Sequence, residues 1–200
     1  MMELVLVRHG ATEGNELRRY VGKRTDEPLS EAGRAQCARA DVPRDVTEAY
    51  VSPLLRTRET AELLFPLARL HEVPGLEEFD FGLFEGKTAN DLADDAAYRA
   101  WVDGWCVGRC PGGESREEFV RRSNAALEEL LRTAHARGER RVVVVAHGGT
   151  IMAALSVFAA RAATSDGYFE WHVEPCGGYA AEVDFAEGAL ALTHLRRLGA

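Results

Sequence analysis

Two unbroken apolar runs organise this chain, and each stops abruptly at a histidine. Residues 4–7 (Leu-Val-Leu-Val) end at Arg8-His9-Gly10, and the four valines at 142–145 end, after Ala146, at His147-Gly148-Gly149. Continuous rather than alternating apolar runs are what strands covered on both faces of a parallel sheet require. Both runs are therefore predicted as buried strands with a histidine at the carboxyl end, where open α/β sheets bind ligands. Residues 49–52 and 69–73 read as two shorter strands. Residues 169–173, 179–185 and 190–195 read as strands that complete the sheet.

Helical spacing fills the intervals. Ser30 is a good N-cap, Glu31 suits the first turn, and a helix is predicted over 31–40. Pro53 opens a helix to about 65. Thr88 can cap a short helix through 92 and beyond. Ser115 and Glu118 form a capping box ahead of a helix over 117–137. Its stripe is Phe119, Val120, Ser123, Leu127, Leu130, Leu131 and Ala134, with a solvated charged face, and Gly138 ends it. A last helix covers 151–158, and its amino end offers free N–H groups to an anion. Residues 20–23 and 25–30 read as irregular surface chain, broken by Pro28. No repeat or linker divides the chain, so residues 1–200 are expected to form one domain. The expected architecture is a three-layer α/β/α sandwich on a mostly parallel central sheet.

One segment has unusual chemistry for a loop. Residues 75–86 interleave Glu77, Glu78, Asp80 and Glu85 with Leu76, Phe79, Phe81, Leu83 and Phe84. Farther on, Tyr98, Trp101 and Trp105 recur at helical spacing, which suits either core packing or a pocket wall.

Charge narrows the partners. The formal net charge of −8 opposes binding to nucleic acid or to an anionic membrane, so an anionic ligand needs a local positive pocket. No run is apolar for long enough to span a bilayer, and no signal-peptide pattern opens the chain. The expected compartment is the cytoplasm. Of the four cysteines, Cys106 and Cys110 are four apart, but no second pair or nearby histidine completes a metal set. Free thiols are the reading.

Several motifs stand in one order along the chain: Leu-Val-Arg-His-Gly-Ala-Thr-Glu-Gly-Asn (6–15), Pro-Leu-Ser-Glu-Ala-Gly (28–33) and Ser-Pro-Leu-Leu-Arg-Thr (52–57), then Asp-Phe-Gly (80–82), Glu85-Gly86, Gly-Glu-Ser (113–115) and Val-Ala-His-Gly-Gly (145–149). In this order they resemble the histidine phosphatase superfamily, also called phosphoglycerate mutase-like, over nearly the whole chain. The resemblance implies a phosphoglycerate mutase-like fold and phosphomonoester hydrolysis through a phosphohistidine. It implies His9 as nucleophile, Arg8 and Arg56 as phosphate clamps, His147 as second histidine and Glu78, in Leu76-Glu77-Glu78, as proton donor. Glu77 is then the solvated neighbour. Asn15, Gly22 and Gly148 join Arg8, Arg56 and His147 in binding the substrate. Neither a metal nor another cofactor is called for. The partner is a small phosphorylated metabolite, with self-association into a homodimer left open.

Within the family, Tyr20-Val21-Gly22, Tyr98-Arg99-Ala100-Trp101 with Trp105, Pro111-Gly112-Gly113-Glu114-Ser115 and Phe169-Glu170-Trp171-His172-Val173 resemble the α-ribazole phosphatase branch of cobalamin biosynthesis. A benzimidazole ribonucleotide phosphate would suit an aromatic wall from Phe81, Trp101 or Trp105. The alternatives are a broad phosphatase for sugar or carboxylate phosphates, and then a phosphoglycerate mutase, for whose insertion residues 86–111 leave little room. A phosphate-binding module without catalysis is the reading of another class, and it is opposed by the filled positions Arg8, His9, Asn15, Arg56, Glu78 and His147.

Overall fold

The computed structural model describes residues 1–159, 167–185 and 188–199. Its strands form a single sheet in the order β3-β2-β4-β1-β5-β6. They are β1 (Met2–Arg8), β2 (Glu48–Val51), β3 (Arg69–Glu72), β4 (Arg141–Ala146), β5 (Gly178–Asp184) and β6 (Ala191–Leu198). Strands β1 to β4 run parallel, while β5 and β6 add an antiparallel edge beside β1. The helices are the single turn α1 (Glu13–Glu16), then α2 (Glu31–Arg39), α3 (Leu55–Leu64), α4 (Ala96–Asp103), α5 (Arg116–Ala136) and α6 (Gly148–Phe158).

The valine run shows why the sheet is covered on both faces. Side chains alternate across a strand. Val142 and Val144 pack with Leu127 and Leu131 of α5 and with Ile151 and Leu155 of α6. Val143 and Val145 pack with Cys37 of α2 and with Ala61 and Leu64 of α3. The result is a three-layer α/β/α sandwich. All four valines are at most 1 % exposed, and burying each is worth about 1.5–3 kcal/mol. A third cluster, built on Phe79, Phe84, Tyr98, Trp101 and Phe119, packs Ala153 of α6 and supports the acidic, phenylalanine-rich segment. Among the described residues no helix is long and apolar enough to cross a membrane.

Local capping follows the sequence in two helices. The Ser30 hydroxyl accepts from Gly33 N at 3.0 Å, and Ser115 with Glu118 closes a reciprocal capping box on α5. Helix α3 starts at Leu55 rather than Pro53, and its cap is tertiary: the Asp26 carboxylate accepts from Leu55 N at 2.6 Å.

Three expectations are corrected. Residues 169–173 are not a strand: Phe169–Trp171 is a 3₁₀ turn, and β5 takes the place beside β1. Trp171 lies edge-on to Tyr179 at 5.8 Å and Val173 is buried, while Phe169 stays exposed. Thr88 closes only a turn with Asp91. The helix begins at Ala96, where the Asp95 carboxylate accepts two backbone N–H groups. Residues 20–23 are not all surface chain, because Val21 and Gly22 are buried. A Cβ on Gly22 would lie 2.3 Å from the Phe79 carbonyl oxygen, so only glycine fits there.

Candidate active site

Parallel pairing of β1 with β4 puts Arg8 in register with Ala146, so the residues that follow, His9 and His147, emerge side by side. Their ring centroids are 5.1 Å apart, edge to face. Strand β2 flanks β4, pairing Val51 with Val145, which brings Ser52 to the same rim. The Ser52 hydroxyl and His147 Nε2 share a hydrogen bond of 2.8 Å.

The protonation of His9 follows from its neighbours. Its Nδ1 lies 2.6 Å from the Gly10 carbonyl oxygen. A carbonyl only accepts, so Nδ1 carries the hydrogen and Nε2 keeps its lone pair. Arg56 Nε donates toward that Nε2 at 3.3 Å. Burial, reinforced by Arg56 and Arg8, holds the His9 pKa well below the ordinary imidazole value. The ring is thus neutral, with its unprotonated nitrogen beside a fixed cation.

Arg56 is wholly buried on α3. Its NH1 donates to the Thr25 carbonyl at 2.7 Å and its NH2 to the Gly22 carbonyl at 3.1 Å. Gly22 therefore orients Arg56. Arg8 NH1 donates to the Val173 carbonyl at 2.7 Å. Burial lowers both guanidinium pKa values, and the Glu78 charge opposes the shift in each. The buried Arg8 Nε and His147 Nδ1 have no hydrogen-bond partner among the described residues. Unpaired buried polar atoms are costly, and an anion beside them removes that cost. The His147 pKa is also held well below the ordinary value, by burial and then by Arg56.

Asn15 sits in the turn α1, where its side-chain oxygen accepts from Thr12 N at 3.2 Å, leaving its NH2 as the group able to donate. Gly148 begins α6, and a Cβ there would come 3.4 Å from Arg8 Nε. Glu78 reaches the same rim: its carboxylate accepts from Gly149 N at 3.0 Å and from Phe79 N at 2.8 Å. A Cβ on Gly149 would lie 2.2 Å from Glu78 Oε1, so the glycine admits the carboxylate. Arg8, His9, Arg56, Glu78, His147 and Gly148 thus converge at the carboxyl ends of β1, β2 and β4.

Glu77 departs from expectation. It is not solvated: its carboxylate accepts from Gly75 N at 2.8 Å and pairs with Arg122 at 3.4 Å. Arg122 also donates to the carbonyls of Gly75 and Glu78 and to Glu114, so it ties the acidic segment to α5. Sequence reasoning missed Arg122, because nothing in a helical charge pattern distinguishes it from the exposed Arg121 beside it.

A cavity of about 380 Å³ opens from Arg8, Glu78, Gly148 and Gly149. Phe81 and Trp101 line it, as expected, and Trp105 does not. Arg116 and Tyr168 line it without any signal in the sequence, and Phe169, which opens the 169–173 motif, lines it too. A larger cavity, about 550 Å³, holds none of the candidate residues and lies near Glu48, His71 and Arg141. The four cysteines are free thiols.

Residues 4–195 match the histidine phosphatase superfamily (branch 1). A protein of Proteus mirabilis named "Probable phosphoglycerate mutase GpmB" is 34% identical, over 74% of this chain and 70% of that protein. The protein of the same name from Photorhabdus laumondii is 36% identical, but the match spans only 62% of its length. Among solved structures, the alpha-ribazole phosphatase from Shigella flexneri superposes with a TM-score of 0.78 at 23% identity, over 100% of this chain and 96% of that one, which is a likeness of fold. A phosphoglycerate mutase from Thermus thermophilus superposes with a TM-score of 0.70 at 34% identity, over 100% and 99%. The chain belongs to the histidine phosphatase superfamily, branch 1, and its activity class is that superfamily's phosphomonoester chemistry.

Proposed function

We propose that this chain hydrolyses a phosphomonoester through a phosphohistidine on His9, and that its substrate is α-ribazole-5'-phosphate. One observation carries the mechanism: the Gly10 carbonyl fixes the His9 tautomer, which leaves Nε2 unprotonated, with its lone pair toward Arg56 Nε. Nε2 attacks phosphorus, the P–O bond to the alcohol breaks, and Glu78 gives its proton to the departing oxygen. Water then attacks the phosphohistidine, Glu78 takes the proton back, and phosphate leaves. Arg8, Arg56, His147, the Asn15 amide and the Gly148 N–H surround the equatorial oxygens. Gly22 contributes by holding Arg56. Positive charge and donors placed before the reaction are what phosphoryl transfer needs.

The substrate assignment is supported by the cavity beyond the phosphate, whose lining is dominated by Tyr20, Phe79, Phe81, Trp101, Tyr168 and Phe169. A benzimidazole ring suits such a lining. Phosphoglycerate mutase is the second reading, favoured by the names of relatives 34–36% identical. Its substrate carries a carboxylate, and Arg116, a cation beyond the phosphate, has its guanidinium over two rings. The test is phosphate release from α-ribazole-5'-phosphate measured against interconversion of 2- and 3-phosphoglycerate. Rapid release from the first with negligible interconversion is expected. Interconversion faster than any release would overturn the assignment.

A further inference from the structure

The cavity beside the histidines is lined by two groups of rings. Tyr20, Phe79 and Phe81 form one, with Phe81 centroids 5.0 Å from Tyr20 and 4.9 Å from Phe79. Tyr168 and Phe169 form the other, edge to face at 5.2 Å. Phe169 leaves 48 % of its surface exposed, although an apolar ring in water is unfavourable. Something flat and apolar against that ring would remove the cost.

Arg116, the first residue of α5, fixes this second group. Its guanidinium carbon is 4.9 Å from the Tyr168 centroid and 4.8 Å from the Phe169 centroid, within cation–π range of both. It also donates to the Trp105 carbonyl. The Tyr168 hydroxyl donates to the Gly149 carbonyl at 3.2 Å, which ties this ring to the helix turn whose Gly149 N–H holds Glu78. The ring pair is therefore anchored at one end to the phosphate rim and at the other to α5. Its cation is engaged by ring faces and a carbonyl rather than left to meet a carboxylate.

We propose that Arg116, Tyr168 and Phe169 form a cation-backed ring wall that selects phosphate esters carrying a flat aromatic group, with Arg116 as the positioning residue. The assignment rests on the phosphomonoesterase reading of the histidine site, and it names the side chains that decide what lies beyond the phosphate. Arg116 acts through the rings: without its charge over them, they lose the orientation that presents their faces to a ligand.

Affinity for two non-hydrolysable phosphonates separates this role from chemistry. 2-Naphthylmethylphosphonate reaches the wall and methylphosphonate does not. Calorimetric titration of the wild type should favour the naphthyl compound by at least about ten-fold, the scale of a lost stacking and cation–π contact. The ratio of the two affinities should fall about ten-fold in Arg116→Ala and be largely kept in Arg116→Lys, which retains a cation over the rings. Phe169→Ala, which leaves the α5 cap untouched, should lower the same ratio. An unchanged ratio in Arg116→Ala and Phe169→Ala, or a proportional loss of both affinities, would overturn the wall. Phosphate release from 2-naphthylmethyl phosphate tests the reaction separately. If the ratios behave as stated and no phosphate appears, the hydrolase reading fails and the wall stands.

Discussion

His9 Nε2 and Arg56 Nε lie 3.3 Å apart, so the nitrogen that carries the lone pair is the one that faces a fixed cation. The arrangement keeps the imidazole neutral and places a donor where phosphoryl oxygens would arrive.

Replacing the proposed nucleophile is the first check. His9→Ala should reduce phosphate release on the order of 10⁴-fold or more, since a covalent route loses its acceptor. It should also abolish acid-labile label trapped from a ³²P-labelled ester in rapid-quench experiments. Label retained at the wild-type level would place the phosphohistidine elsewhere.

The pH profile follows from the direction of the His9 shift. Because burial, Arg56 and Arg8 lower its pKa, the His9 imidazole stays unprotonated below the ordinary value of 6.5. The acidic limb of kcat/KM should therefore lie below pH 6.5 where His9 governs it. Arg56→Gln removes one of the charges that disfavour the imidazolium, so the limb should move to higher pH as activity falls. A limb that stays in place would show that another group sets it.

Stability should respond to the same two histidines. In the unfolded chain both protonate near pH 6.5, whereas the folded pKa values of His9 and His147 are lower. The unfolded state then binds more protons below pH 6.5, so stability is full above that pH and is lost as pH falls below it. The slope is at most about 1.4 kcal/mol per pH unit for each histidine that takes up its proton only in the unfolded chain. Urea unfolding of phosphate-free protein measures it, and the double variant His9→Asn/His147→Asn should show a correspondingly smaller loss.

Gly149 leaves room for the Glu78 carboxylate, and its substitution tests the proposed proton donor apart from binding. In Gly149→Ala the new Cβ meets Glu78 Oε1 at 2.2 Å and must displace the carboxylate. Esters with poor leaving groups should slow by about 10²-fold or more, as for Glu78→Gln, while nitrophenyl phosphate, which needs little protonation, slows far less. Equal losses on both substrates would remove Glu78 from the proton-donor role.

Arg122 is a structural tie with a catalytic consequence. Arg122→Met breaks its pairs with Glu77 and Glu114 and its bonds to the carbonyls of Gly75 and Glu78. Stability should drop by roughly 2–3 kcal/mol, the scale of a lost charge-assisted bond. Glu78-dependent activity should fall with it, and thermal unfolding alongside the leaving-group series reads both effects.

The chain itself determined the strands that carry the histidines, because four successive apolar residues ending at Arg8-His9 and at His147-Gly148 admit burial on two faces and then a polar exit. It also determined the caps at Ser30 and Ser115, which rest on contacts three residues apart. What lies far apart in sequence was decided only by the fold. Residues 169–173 have the composition of a strand, but β5 holds the ladder position beside β1, so Phe169–Trp171 turns instead. Gly22 meets Arg56, Ser52 meets His147, and Arg122 meets Glu77 through backbone carbonyls, hydroxyls and carboxylates whose partners no local pattern encodes. The family was legible in its motifs, several of which the fold brings together at the strand ends. The ring wall of Arg116, Tyr168 and Phe169 was not, because it joins a helix start to a turn more than fifty residues later and forms only when the sheet brings both to the mouth of the site.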